Sequence, residues 1–373
     1  MGKKIFILII AAFVILYVLF SVSLYVWPLN IVEPLNVKWN KCRIDNGQRI
    51  VSIKGNPENG NFVYAVSKNE FFVSKDSASS FRLVMKTSAS GKRLPNLLLH
   101  RIAVNTYTKT VIFALESGDN DDIFVSDFSG GKIKKIYALK GIVTDITCDE
   151  KTGEFYVATF ESGVLKFPVS LKPVQIMEFE NIKDLCFTSV NILPHGKLIA
   201  GLMMNSASSP LIAVWNDKDP SNMFCFCTIP GVSSCGDLTT VYCIARSSDG
   251  VYISTNSYGC ALLFTTDGIH FKAADRIKKM CDPLNGIREV IPAKNSLFVS
   301  CEGGEGGSDV ETFSICKINP HYYSYSFSIT AHFVSSPDIS YSLPIYAFDI
   351  LKNGKIIAYA GDSLYMSGGN ITP

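Results

Sequence analysis

The chain has 373 residues, of which 47% are hydrophobic, 12% aromatic and 18% charged, with 35 Lys+Arg set against 33 Asp+Glu. That apolar content excludes a disordered chain. A net charge of +2 with both signs mixed along the sequence gives no basic stripe, so no nucleic-acid partner is expected.

Residues 1–4 are a short polar tip containing Lys3 and Lys4, and residues 5–27 are an unbroken apolar run without charge. At about 1.5 Å per residue a helix of that length crosses a hydrocarbon core roughly 30 Å thick, so one N-terminal transmembrane helix, a signal-anchor, is predicted. The flank after it carries only Glu33 before Lys38, which keeps the N-terminus cytoplasmic and places the rest of the chain in a lumenal or extracellular space. A cleaved signal peptide is the alternative, with Ser21 and Ser23 as small residues before Leu24. Signal-peptide apolar regions usually run about 7–15 residues, and this longer one favours a retained anchor.

From residue 46 to residue 373 one pattern recurs: an apolar strand, a turn holding Gly, Asn or Asp, and a second apolar strand. Seven segments fit, at 49–67, 100–116, 142–160, 187–203, 241–256, 288–303 and 346–361. Their second strands begin near Phe62, Val111, Phe155, Leu198, Val251, Leu297 and Ile356, giving periods of 43 to 59 residues. Each unit has room for one or two further strands, and a four-stranded unit repeating in the forties predicts an all-β, seven-bladed β-propeller. A single blade is a small twisted sheet with two apolar faces, and stacking blades around an axis buries both. Six or eight blades, a sandwich or two smaller β domains also fit repeated hairpins.

The last unit stops too soon to contain its own outer strand, whereas residues 35–44 precede the first hairpin and belong to no unit. Residues 28–45 are therefore assigned as a linker and a ring-closing strand that supplies the missing edge. The longest insertions, near 216–240 and 302–312, are expected to carry ligand contacts, because rigid blades hold such loops in place.

All 11 cysteines follow the apolar segment, and in an oxidising compartment some should pair, most plausibly within the cluster that runs from Cys225 to Cys260, with connectivity left open. Cys225-Phe226-Cys227 lacks zinc-knuckle spacing and the histidines show no paired ligand spacing, so no metal and no cofactor are expected. The glycine-rich stretch 301–309 has neither the Lys-Ser/Thr of a phosphate loop nor the alternating acids of a calcium repeat, and reads as a flexible turn. Asn370-Ile371-Thr372 is a glycosylation sequon near the end of the sequence.

Two turns carry a hydroxyl, a carboxylate and an aromatic in order: Ser74, Asp76 and Phe81, and again Thr265, Asp267 and Phe271. Both resemble the Asp-box of the BNR, sortilin-like and sialidase-like propellers, with Ala78 where that pattern has Gly and with the second turn one residue short. Val125 to Gly131 is a fainter echo. The resemblance implies the propeller fold and a turn-stapling role for these residues, and it assigns no catalytic residue.

A propeller hydrolase is the enzymatic alternative. Arg93-Leu94-Pro95 is superficially similar to the sialidase Arg-Ile-Pro, but it follows the first Asp-box-like turn instead of preceding it, and Tyr322 to Tyr325 reads better as an alternating strand. The run from Thr144 to Tyr156 resembles the inner-strand segment of gluconolactonase-like and strictosidine-synthase-like propellers, which implies a central divalent cation; Thr144 stands where an Asn ligand is expected. The reading preferred from sequence is a membrane-anchored propeller that binds or scaffolds a protein or glycan ligand, with catalysis left open as the less favoured use. Convergent acids or Arg in the central funnel would favour catalysis over binding.

Overall fold

The computed structural model describes residues 39–44, 48–88, 99–170, 172–177, 186–203, 211–216, 219–230, 240–256, 262–273, 286–293, 296–302, 313–318, 329–331, 334–336, 339–342 and 345–369. Residues 5–27, Arg93, Tyr322 to Tyr325 and Asn370 lie outside them. Among the described residues no helix is long and apolar enough to cross a membrane.

The chain folds into antiparallel sheets wound in sequence order, each from an innermost strand outward. The second sheet runs Ile102–Asn105, Thr110–Ser117, Asn120–Asp127 and Lys134–Lys140; the third runs Val143–Cys148, Phe155–Thr159, Val164–Phe167 and Val174–Met177. In the fourth the order is Cys186–Ile192, Leu198–Met203, Ile212–Asn216 and Asp219–Phe226. The fifth has Val241–Arg246, Val251–Thr255, Leu262–Thr265 and Lys272–Ala273, and the sixth Gly286–Ala293, Ser296–Glu302, Phe313–Ile318 and Ile329–Ala331. In the final sheet Ile345–Ile350, Ile356–Ala360 and Ser363–Ser367 are joined on the outside by Trp39–Lys41 from the other end of the chain. That outer strand is antiparallel, with Trp39 opposite Ser367 and Lys41 opposite Tyr365.

Seven regular blades were expected, and six four-stranded sheets are observed. The first unit differs because Arg43–Ile44 adds in parallel to Ser80–Lys86, outside Glu70–Ser74, Val63–Val66 and Ser52–Gly55, making five strands. Once past Cys42, the ring-closing segment crosses from the last sheet to the first and pairs there too. A separate hairpin, Val334–Ser336 with Ile339–Ser342, occupies part of the long sixth period and was not anticipated. Residues 219–226, counted within an insertion, form an outer strand.

Second strands are buried at every position where they cross the middle of the stack, as in Val63–Val66, Phe155–Thr159, Val251–Thr255 and Ile356–Ala360. This is why they read as continuous apolar runs: both faces meet a neighbouring sheet. Each apolar cluster is drawn from two consecutive sheets, and one joins Ile53, Ala65 and Phe72 of the first to Ala347, Ile357 and Leu364 of the last. Between the first and second sheets Phe71 and Phe113 stack with centroids 3.9 Å apart and planes at 12°, and Phe124 stacks on Phe113 at 5.4 Å. Gly201 permits close approach of the fourth and fifth sheets, since a Cβ there would meet a Val241 methyl at 2.3 Å.

Because Phe113 is fully buried between two sheets, Phe113→Ala is expected to cost about 3–5 kcal/mol, read as a lower urea midpoint.

Candidate functional site

Five inner strands carry a one-residue irregularity near their start, at Val143/Asp145, Phe187/Ser189, Val241/Cys243, Ile287/Glu289 and Ile345/Ala347. A bulge re-aims the side chain that follows it, and here that side chain turns toward the next sheet. Asp145 accepts from Ser189 Oγ at 2.6 Å and from Val190 N at 2.9 Å. Ser189 Oγ in turn accepts Ile244 N at 3.0 Å, and Glu289 accepts the Phe348 N–H. Cys243 Sγ lies 4.0 Å from Val290 O. In the second sheet Arg101, fully buried, donates from Nε to Val143 O at 3.0 Å and pairs with Asp121 at 2.5 Å; Asp121 also accepts Val143 N at 2.7 Å.

The last sheet has Ala347 at this position, and Asp349, two residues on, takes over. Its carboxylate accepts Gly55 N at 2.7 Å and meets Lys54 Nζ at 3.3 Å, so the final sheet is tied to the first. Thr144, considered as standing where a cation ligand would be, instead donates to Phe187 O at 2.7 Å, and Thr188 likewise donates to Val241 O.

Inside this belt lies a cavity of about 950 Å³, lined by Lys54, His100, Asp145, Cys243 and Glu289, with Glu150, Arg246, Ser248 and Asp249 farther along the strands and their turns. It opens toward the turns between first and second strands. Of the two insertions singled out from sequence, the first contributes the outer strand Asp219–Phe226, and residues 303–312 of the second lie outside the described ones. His100 Nδ1 stands 3.6 Å from Glu289 Oε1, bringing the second and sixth sheets together, and His100 Nε2 is buried without a hydrogen-bond partner. The Lys54 side chain keeps 45% of its surface exposed, facing the cavity it lines.

Burial governs the electrostatics. It pushes the Glu289 carboxyl up to about 8, against the pull of Lys54 and with Asp349 and Asp145 adding to it. It also raises Asp145, opposed by His100 and the hydrogen bonds from Ser189 and Val190, and it holds His100 below the ordinary imidazole value. The neighbouring Asp349 raises Lys54. Near neutral pH, Glu289 and His100 are therefore both held toward their uncharged forms. Among the described residues no three His, Cys, Asp or Glu side chains are grouped to hold a metal ion, so the central cation implied by the gluconolactonase-like resemblance does not fit them.

The turn residues singled out from sequence lie away from this cavity. Ser74 Oγ bonds Asp76 at 2.7 Å and accepts Ala78 N, while Asp76 accepts Ser80 N at 2.9 Å. Ala78, where the pattern has Gly, adopts a φ of 70°. In the fifth sheet Asp267 accepts Ile269 N and His270 N, each at 2.8 Å, and Gly268 supplies a φ of 76°. Phe81 and Phe271 are buried in inter-sheet clusters. Asp127 of the fainter turn accepts Ser129 N and Gly131 N.

None of the six cysteines whose side chains are described, Cys42, Cys148, Cys186, Cys225, Cys227 and Cys243, is in a disulfide. The pairing expected within 225–260 is not seen among its three described members: Cys243 is buried on an inner strand, whereas Cys225 and Cys227 are exposed at the outer side of the preceding sheet. Cys235 and Cys260 lie outside the described residues.

No family model matches the chain, and no curated protein matches it. Among solved structures, the extracellular domain of a putative hybrid two-component system from B. thetaiotaomicron is similar at 14% identity with a TM-score of 0.61, covering 90% of this chain and 42% of that one. A GH74 xyloglucanase from Xanthomonas campestris is similar at 12% identity and TM-score 0.58, covering 88% of this chain and 53% of its own. The RRP9 WD40 repeats give 8% identity and 0.59, with 89% and 99% covered. The chain thus spans less than two thirds of the first of these. At such identities the likeness establishes the β-propeller fold alone.

Sequence reading passed over Lys54, His100, Ser189, Glu289 and Asp349. The signal was there: in aligned units a polar residue follows an apolar pair member by two, as in Val143-Thr144-Asp145, Phe187-Thr188-Ser189 and Ile287-Arg288-Glu289.

Since Glu289 is raised from 4.5 to about 8 on folding, the folded state holds a proton that the unfolded chain releases, and this contribution to stability is lost as pH rises across that interval. His100, shifted down, acts oppositely below its usual value of 6.5. Glu289→Gln is expected to flatten the decline in unfolding free energy between pH 4.5 and 8, measured by urea titration at fixed pH steps.

Proposed function

We propose that this chain is a membrane-anchored β-propeller of seven blades, the five-stranded sheet being one of them, that binds a protein or glycan ligand through its central cavity from a lumenal or extracellular space. The observation that supports binding over hydrolysis is the engagement of the central acids. Convergent carboxylates do stand in the funnel, as an enzyme would need, but Asp145, Glu289 and Asp349 each accept a backbone N–H from the following sheet. A carboxylate tied in this way holds blades together and is poorly placed to act as nucleophile or proton donor.

The reading places the ligand at the cavity mouth, near Arg246, Ser248 and Asp249, and gives the Asp76 and Asp267 turns the role of staples. Residues 5–27 supply the anchor by their length and hydrophobicity. The extracellular propeller and the glycoside hydrolase among the similar structures are compatible with this use of the fold and do not select a ligand.

Two measurements bear on it. The full chain is expected to stay in the membrane pellet after alkaline carbonate extraction, and release into the supernatant would remove the anchor from the reading. A photoreactive amino acid at Ser248 is expected to crosslink ligand in intact membranes, whereas one at Lys134, on an outer strand, should not. Equal labelling at both positions would place the binding surface elsewhere.

A further inference from the structure

The cavity has a layered wall. Side chains two apart on a strand share a face, so the residues after Asp145, Ser189, Cys243 and Glu289 in the same direction are Thr147, Asn191, Ala245 and Ile291, joined by Ala103 from the second sheet. These are mostly small or aliphatic, and the space they leave is the body of the cavity. Beneath them lies the charged floor.

Carboxyl groups outnumber cations in that lining. Four carboxyls, Asp145, Glu150, Asp249 and Glu289, face two permanent cations, Lys54 and Arg246, and Lys54 is already paired at 3.3 Å with Asp349 behind it. A walled cavity concentrates such a field. The shortage of partners is sharpest at one place, where Glu289 and His100 stand 3.6 Å apart, too far for a hydrogen bond, and His100 Nε2 has no partner at all. Burying polar atoms in this state is costly unless a ligand completes them.

Resting on the binding role of this cavity, we infer that it takes the ammonium end of a primary alkylamine, with the charge beside Glu289, Asp145 and His100 and the methylenes along Ala103, Ala245 and Ile291. An ammonium has three donors and no acceptor, which suits two carboxyls and a neutral imidazole nitrogen. The alkyl stem suits the small apolar layer above them. A free small amine and the lysine side chain of a protein partner share this chemistry.

Binding is linked to pH through the floor. The titratable groups that face the ligand are Lys54 and Asp349 from the first and last sheets, His100, Asp145, Cys243 and Glu289. Of these Glu289, raised to about 8, changes charge near neutrality, and an alkylammonium stays protonated to about pH 10. The amine therefore displaces the Glu289 proton to solvent, and its affinity rises with pH.

The test is calorimetry on the full chain in detergent micelles with n-butylammonium, n-butanol and butyrate as probes. Butylammonium is expected to bind at least about tenfold more tightly than either isostere, to tighten about tenfold from pH 6 to pH 8, and to release a proton seen as buffer-dependent heat. Glu289→Gln should remove both the pH dependence and about tenfold in affinity. Ala245→Leu, which fills the cavity without touching a charge, should block binding, and it carries the test if the Glu289 variant does not fold. Butanol or butyrate binding as well as the amine, no pH dependence, unchanged binding in either folded variant, or no amine heat at all overturns the inference. A glycine-flanked lysine peptide that binds more tightly than butylammonium assigns the site to a protein partner, and one that binds less tightly assigns it to a free amine. If neutral glycans bind, and Ala245→Leu blocks them while amines stay silent, the cavity remains a ligand site and the amine inference alone falls.

Discussion

The structure depends on polar side chains of the inner strands, at or near a bulge in most of them, engaging the backbone of the next sheet. Apolar packing between sheets is strong but non-directional, and flat apolar faces slide over one another. The hydrogen bonds that Asp145 accepts from Val190 N–H, Ser189 from Ile244 N–H, Glu289 from Phe348 N–H and Asp349 from Gly55 N–H fix the rotation between neighbours. They also satisfy amides that the bulges expose near the axis, where no ladder partner is available. Geometry at the centre of the ring is thus set by polar contacts, and bulk stability by the apolar clusters farther out.

This division explains the character of the cavity. The residues nearest the axis must be polar enough to serve the latch, so carboxyls, a thiol and hydroxyls accumulate there, and burial then shifts them away from their ordinary values. Asp145 and Glu289 are raised and His100 is lowered for the same reason. The charged funnel is first a product of construction. What the latch leaves unfilled is the space along the small residues Ala103, Thr147 and Ala245 and the unpartnered Nε2 of His100.

Much of the fold was legible because each blade repeats one local pattern. Second strands read as apolar runs, and those placed near Phe155, Leu198, Val251 and Ile356 begin at those residues. The place of Trp39–Lys41 could be read by subtraction, as a strand without a unit beside a unit without an outer strand. Arg43–Ile44 could not, because two residues leave no periodicity. The latch residues escaped for a different reason: Asp145, Ser189, Cys243 and Glu289 share a position and a task but not a chemical type, so no motif of fixed residues marks them. Disulfide pairing was argued from compartment and count, and neither carries the distance between an inner and an outer strand.

The edge strand Trp39–Lys41 is hydrogen-bonded to Ser363–Ser367, the last strand among the described residues. Ribosomal synthesis delivers these partners at opposite times. The first must therefore wait, unpaired, until Ser363–Ser367 has emerged about 320 residues later, and until then the growing stack presents an open seam at each end. Such seams are templates for pairing with other chains. For a protein of this design the hazardous interval is the one before the closing strand is made, and truncation ahead of Ser363 would make that interval permanent.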